Sequence, residues 1–83
     1  MKIDLTPVKD SSQIAAIGYD IPSKTLAVQF WSRKKGQEPA PGAVYHYKDF
    51  PLEKFTAFQN AESKGTFFGE RVRNQFPTTK QPE

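Results

Sequence analysis

The chain contains no cysteine. No disulfide can brace it and no thiolate can hold a metal. It has one histidine, His46, so neither a second histidine nor a cysteine is there to complete a zinc site. Serines are present, but none sits in a nucleophile elbow, which leaves His46 without the partners of a hydrolytic triad. Asp20 and Asp49 could approach each other at strand ends, yet two isolated carboxylates are a weak basis for acid–base chemistry. The expectation is a protein that is not an enzyme and carries no cofactor or metal. Long apolar runs are also missing. No stretch approaches the roughly 20 residues of a membrane span, and "MKIDLTPVKD" has no apolar core for a signal peptide. A cytoplasmic protein without membrane contact is expected.

What is present is aromatic. Seven phenylalanines, three tyrosines and one tryptophan make up 13% of 83 residues. The length allows one domain, and so small a domain buries only about 60% of its unfolded surface. Aromatic rings, at roughly 150–250 Å² each, must carry the core. Small size and heavy aromatic content together favour a homo-oligomer, a dimer or larger. The net charge of +3 and pI near 9.3 permit an anionic partner without demanding one.

Residues 1–10 read as an irregular arm, in which Ile3, Leu5 and Val8 could form a short added strand. Gln13 to Asp20, "QIAAIGYD", reads as a strand, with Gly18 marking a bend or a close backbone approach. "IPSK" is turn chemistry. Thr25 to Trp31, "TLAVQFW", is the clearest strand: Leu26, Val28 and Phe30 alternate onto one face, opposite Ala27, Gln29 and Trp31. Ser32 to Gly42 is a long loop with three consecutive basic residues. Ala43 to Lys48 is a third strand, with Tyr45 and Tyr47 on one face. Pro51 suits the first turn of a helix, whose core stripe is Leu52, Phe55 and Phe58. Ser63 breaks this helix and caps a second, with Phe68, Val72 and Phe76 on one face and Pro77 as its stop. Residues 77–83 read as a polar tail. Three strands followed by two helices predict an α+β domain over 11–76: an antiparallel meander with both helices on one face.

"SSQIAAIGYD", "TLAVQF", "VYHY" and "FTAFQNAESKGTFFGERVR", in that order, resemble the KTSC domain. Its most specific pieces here are Ile17-Gly18-Tyr19-Asp20, the Tyr45 and Tyr47 pair, and Ala61, Ser63, Gly65 and Phe68. That domain occurs at the C-terminus of some lysyl-tRNA synthetases and alone in bacteria and phages. The resemblance implies no catalytic residues. It implies RNA binding only through the synthetase association. The basic loop 32–42 is longer than the usual connection in the family, so any role it has is this chain's own.

Several residues invite two readings. Tyr45 and Tyr47 form either a platform on which bases stack or part of the core with hydroxyls at its edge; at least one is expected to be core. Tyr19 is weighed in the same way. Ser63, Lys64 and Gly65 open a helix, where N–H groups and a lysine can hold a phosphate, although a plain cap with a tight turn accounts for the same residues. Arg71 and Arg73 flank Val72 and are expected to point to different sides of the helix, as a solvated face. Arg33, Lys34 and Lys35 are the densest positive charge and could contact phosphates without reading sequence. Trp31 stands beside them and could stack. The function expected is a non-catalytic module for RNA or another nucleotide-type anion. One alternative is a phage or bacterial sponge for a nucleotide signalling molecule. The other is a protein–protein adaptor using an uncovered sheet face.

Overall fold

The structure is a computed structural model and describes residues 3–9 and 11–81. Met1, Lys2 and Asp10 of the expected arm, and Pro82 and Glu83 of the expected tail, lie outside the described residues. The chain runs β1 (Thr6–Pro7), β2 (Ile14–Asp20), β3 (Thr25–Ser32), β4 (Ala40–Tyr47), α1 (Leu52–Asn60), α2 (Lys64–Arg71) and β5 (Thr78–Lys80). The α+β class holds, but among the described residues the sheet has five antiparallel strands, in the order β1-β2-β3-β4-β5, rather than three.

Both additional strands come from segments read as irregular. Thr6 and Pro7 pair with Ile17 and Ala16, and Ile3 and Val8 are buried. At the other edge Thr78, Thr79 and Lys80 pair with Tyr47, His46 and Tyr45. Neither segment has a strong strand pattern of its own. Each is held by the open hydrogen-bonding edge of a longer strand, which is a tertiary cause.

The register sets the two faces of the sheet. Ile17, Val28 and Tyr45 lie in one row, and Tyr19, Leu26 and Tyr47 in another. Both rows face the helices, since paired residues share a face. Here Leu26, Val28, Tyr47, Phe50, Phe58, Phe68 and Val72 form the buried core, with Tyr19, Phe30, Tyr45, Phe55, Phe67 and Phe76 packed against it. The intervening row holds Gly18, Ala27 and His46 on the opposite face. That face is not bare. A Cβ on Gly18 would collide with the Asp4 carbonyl oxygen, and both Ala27 and His46 are buried. Only glycine lets the N-terminal arm come so close. The uncovered sheet face expected for an adaptor is therefore occupied at its centre.

Two details of the helices differ from the pattern reading. Leu52, assigned to the core stripe, is 49% exposed. Pro51 is the residue before the helix rather than its first turn, so α1 presents Phe58 most deeply and Leu52 outward. The second helix ends at Arg71, well short of Pro77. Val72 and Arg73 both donate backbone hydrogen bonds to the Phe68 carbonyl, and Asn74 takes a φ of 63°. Asparagine tolerates this left-handed conformation, which is a common way to end a helix. The chain then turns back toward β4, and Phe76 reaches the core from this turn rather than from a helix face.

Candidate ligand-binding groove

The irregular part of the sheet lies around Phe30 and Trp31. The register slips between Ile14 and Ala16 on one side of β3 and between Gln29 and Trp31 on the other. Strict alternation would send Phe30 and Trp31 to opposite faces. The bulged register breaks that alternation, and both residues line the same two cavities. Gly42 stands at the bulge because β3 comes too close for a side chain: an ideal Cβ there would lie 2.8 Å from the Ser32 Cβ. The Trp31 ring is held in place. Its Nε1–H donates to the Ser11 carbonyl at 3.1 Å, and its backbone N–H donates to the Gln13 carbonyl at 3.0 Å.

Three cavities adjoin along the seam between α2 and the sheet. The first, about 540 Å³, is lined by Phe30, Trp31, Tyr45, Tyr47, Phe68 and Arg73, among others. The second, also about 540 Å³, shares Phe30, Trp31, Phe68 and Arg73 with the first and adds Ser12, Gln13, Arg33 and the glycines of α2. The third, about 430 Å³, shares Ser12, Gln13 and Gly65 with the second and adds Ser11, Ser63, Lys64 and Thr66. Shared wall residues set them side by side along one groove, with each part within the usual size of small-molecule sites, about 300–1,000 Å³. One end is aromatic, the middle carries Arg73 and Arg33, and the far end is built of hydroxyls, an amide and Lys64. The chain has 9 Asp and Glu residues, yet among the described residues no carboxylate lines any of the three cavities.

The two tyrosines on β4 have different surroundings. Tyr47 is 4% exposed and meets Phe68 edge-on at 5.6 Å. Burial, with a smaller contribution from Tyr45, pushes its hydroxyl up to about 12, so it remains a protonated donor at any ordinary pH. Tyr45 is half-buried and touches Phe30 edge-on at 5.7 Å, leaving part of its ring toward the first cavity. Tyr19 is structural. Its hydroxyl donates to the Phe50 carbonyl and its ring stacks on Phe55 at 5.0 Å. Burial, then the nearby Asp20, raises its pKa.

At the start of α2, the Ser63 Oγ accepts from the Thr66 N–H at 3.2 Å. The Lys64 Nζ turns back to donate to the Ala61 carbonyl at 3.3 Å. The space before Gly65 is filled from within, because an ideal Cβ there would stand 3.1 Å from the Gln13 Oε1. The Gln13 side chain, not an open backbone, is what this glycine accommodates.

The basic run splits. Arg33 donates to the Ser12 carbonyl and lines the groove. Lys34 and Lys35 sit in the tip of the β3–β4 hairpin, where the Gln37 N–H donates to the Lys34 carbonyl, and line none of the three cavities. The connection is shorter than the sequence suggests, since β4 begins at Ala40 and pairs with Ser32. Arg73 is exposed, as a solvated face requires, but it is not on the helix. It lies beyond the end of α2 and lines both larger cavities, while Arg71 lines none. Ser11, Ser12, Gln13 and Arg73 are among the groove residues that pattern reasoning missed. Asn74 was the available signal for Arg73, because a left-handed residue there ends the helix early. No local signal places Ser11 to Gln13 against α2.

Among the described residues there is no cluster of His, Asp and Glu that could hold a metal. No helix among them is long and apolar enough to cross a membrane. A search of curated proteins finds no match. The KTSC domain matches residues 10–76. A crystal structure of a KTSC domain protein from Yersinia pestis is similar over 98% of this chain and 100% of that one, at 32% identity and a TM-score of 0.79. The fold, the motif order and these matches agree, and the chain belongs to the KTSC domain family.

Proposed function

We propose that this domain is a non-catalytic binding module for RNA or another nucleotide-type anion, and that the groove along α2 is where it binds. One observation carries the reading. Adjoining cavities along one seam combine aromatic rings, two arginines and a lysine, and among the described residues no carboxylate stands in their walls. Rings offer stacking to any base, worth about 1–3 kcal/mol each. Guanidinium groups match phosphate geometry with paired N–H donors. A groove that served only an apolar ligand would have no use for the cations, and one that served a cation would contain acids. The sponge reading uses this same groove and differs only in the size of the ligand. The adaptor reading loses its simplest surface, since the arm crosses the opposite sheet face at Gly18 and the neighbouring Ala27 and His46 are buried.

The test is a titration of single-stranded RNA and of mononucleotides against the purified protein, repeated across a salt series. Trp31 is the only tryptophan and lines the groove, so its fluorescence reports occupancy directly. A saturable change in that signal, weakened by Arg73→Ala and by salt, is expected. No binding of either ligand at low salt would remove the proposal.

A further inference from the structure

The groove has a direction, and the direction specifies a ligand more closely than "nucleotide". We infer that it is built for a single base followed by a run of phosphates: a nucleoside 5′-oligophosphate, base at the Tyr45 end and phosphates toward Ser63. This rests on the reading that the groove binds nucleotide-type anions.

The asymmetry of the walls comes first. Ring surface lines the first cavity, where Trp31, Tyr45, Phe30 and Phe68 stand, and the middle one, which shares Trp31, Phe30 and Phe68, and stops there. The opposite end has none; its walls are Ser11, Ser12, Gln13, Ser63, Lys64 and Thr66, with Gly65 between them. A ligand with a base at each end that spanned all three cavities would leave one base without a partner ring. A ligand with one base and a hydrophilic remainder matches both ends.

Charge follows the same axis. Arg73 stands where the aromatic and middle cavities meet, Arg33 lines the middle one, and Lys64 lines the far one. A ligand laid along the groove meets the rings first and then three cations in succession. Successive phosphates provide negative charge in that order. Arg33 is already oriented, because one guanidinium N–H is bound to the Ser12 carbonyl. An arginine has five such donors, so most of its hydrogen-bonding capacity is still open. Lys64 need only exchange its 3.3 Å hydrogen bond to the Ala61 carbonyl for a phosphate oxygen. The hydroxyls of Ser12 and Thr66 line the same path.

The experiment is calorimetry, with Trp31 fluorescence in parallel, on adenosine, its 5′-mono-, di- and triphosphates, inorganic tripolyphosphate and a single-stranded RNA pentamer. Affinity is expected to rise about tenfold for each of the first two phosphates, the scale of one charge-assisted hydrogen bond. Tripolyphosphate alone should bind more weakly than the triphosphate and leave Trp31 fluorescence unchanged. Arg73→Ala and Arg33→Ala should each lower triphosphate affinity about tenfold and leave adenosine affinity alone. Equal binding of adenosine and its triphosphate would overturn the inference. So would saturable binding of the RNA pentamer with none of the triphosphate, although the broader reading would survive that result. Failure of every ligand in the series would remove both. Melting curves of the two arginine variants, expected to match the parent, separate weakened binding from a damaged fold.

Discussion

The helix-covered face of the sheet has two ends built from the same materials and finished differently. At the α1 end, Tyr19 stacks on Phe55 at 5.0 Å, Phe50 meets Phe76 at 4.8 Å and Phe58 stacks on Phe67 at 5.1 Å. Phe50 and Phe58 are completely buried, and the Lys54 ammonium lies over the Phe76 ring at 5.2 Å. At the α2 end, Phe30, Tyr45, Tyr47 and Phe68 meet only edge to edge, at 5.1–5.7 Å, and a cavity of about 540 Å³ opens beside them. Aromatic content does not by itself distinguish a core from a site. The difference lies in whether the rings close on one another or stop short, and in whether cations without acids stand at the opening.

The largest expected effect comes from breaking the closed end. Phe58→Ala should cost about 3–5 kcal/mol, a large share of the stability of so small a domain. A chemical-denaturation curve reads it, and a variant as stable as the parent would show that the α1 end is not sealed as described.

The two tyrosines of β4 compare closed and open surroundings within one strand. Tyr47→Ala should destabilise by roughly 3 kcal/mol or more, as for other buried aromatic deletions. Tyr45→Ala should cost about 1 kcal/mol, an ordinary value for a half-buried site, while it weakens adenosine binding. Similar thermal shifts for the two variants would erase the distinction.

His46, on the opposite face, tests the arm-covered side of the sheet by pH. Burial lowers its pKa from the usual 6.5, so the unfolded chain takes up a proton more readily than the folded one. Its contribution to stability is therefore complete above pH 6.5 and falls away as the pH drops through the lower, folded value. His46→Gln should flatten the slope of stability against pH below about 6.5. An unchanged slope would mean that some other group drives it.

Gly69 sharpens the contrast at the open end without touching the fold. A Cβ there would meet nothing within 4 Å, and the residue lines the middle cavity. Gly69→Leu should leave stability unchanged or raise it by up to about 1 kcal/mol, the helix-propensity gain over glycine. It should also lower triphosphate affinity by filling the groove. Full affinity in this variant would move the site elsewhere. The smallest effect is expected from Lys34→Ala with Lys35→Ala. Nucleotide affinity should stay constant, and the salt slope for RNA should fall by no more than about 0.7 for each phosphate these lysines had neutralised. A collapse of RNA binding would transfer the site from the groove to the hairpin tip.

Periodicity and turn chemistry determined much of this protein from the sequence alone. Strands β2 and β3, the Ser63 cap and the core positions Leu26, Val28, Phe58, Phe68 and Val72 follow from local pattern, because each is dictated by neighbours a few residues away. The aromatic content pointed to a core of rings; the structure buries Tyr47, Phe50, Phe58 and Phe68 among aliphatic residues and packs six further rings, partly buried, around them. Tertiary structure alone decided the rest. Thr6–Pro7 and Thr78–Lys80 became strands because open edges of β2 and β4 stood beside them. Gly18 proved to be the seat of the Asp4 carbonyl and Gly65 the seat of the Gln13 side chain. The bulged register at Phe30 and Trp31, and the early end of α2 before Arg73, turned rings and cations that alternation had separated into the walls of one groove. A bulge or a chain reversal displaces side chains by one position in a period of two or a fraction of a helical turn. Local pattern cannot register that displacement, because the strands and helix that impose it lie far away along the chain.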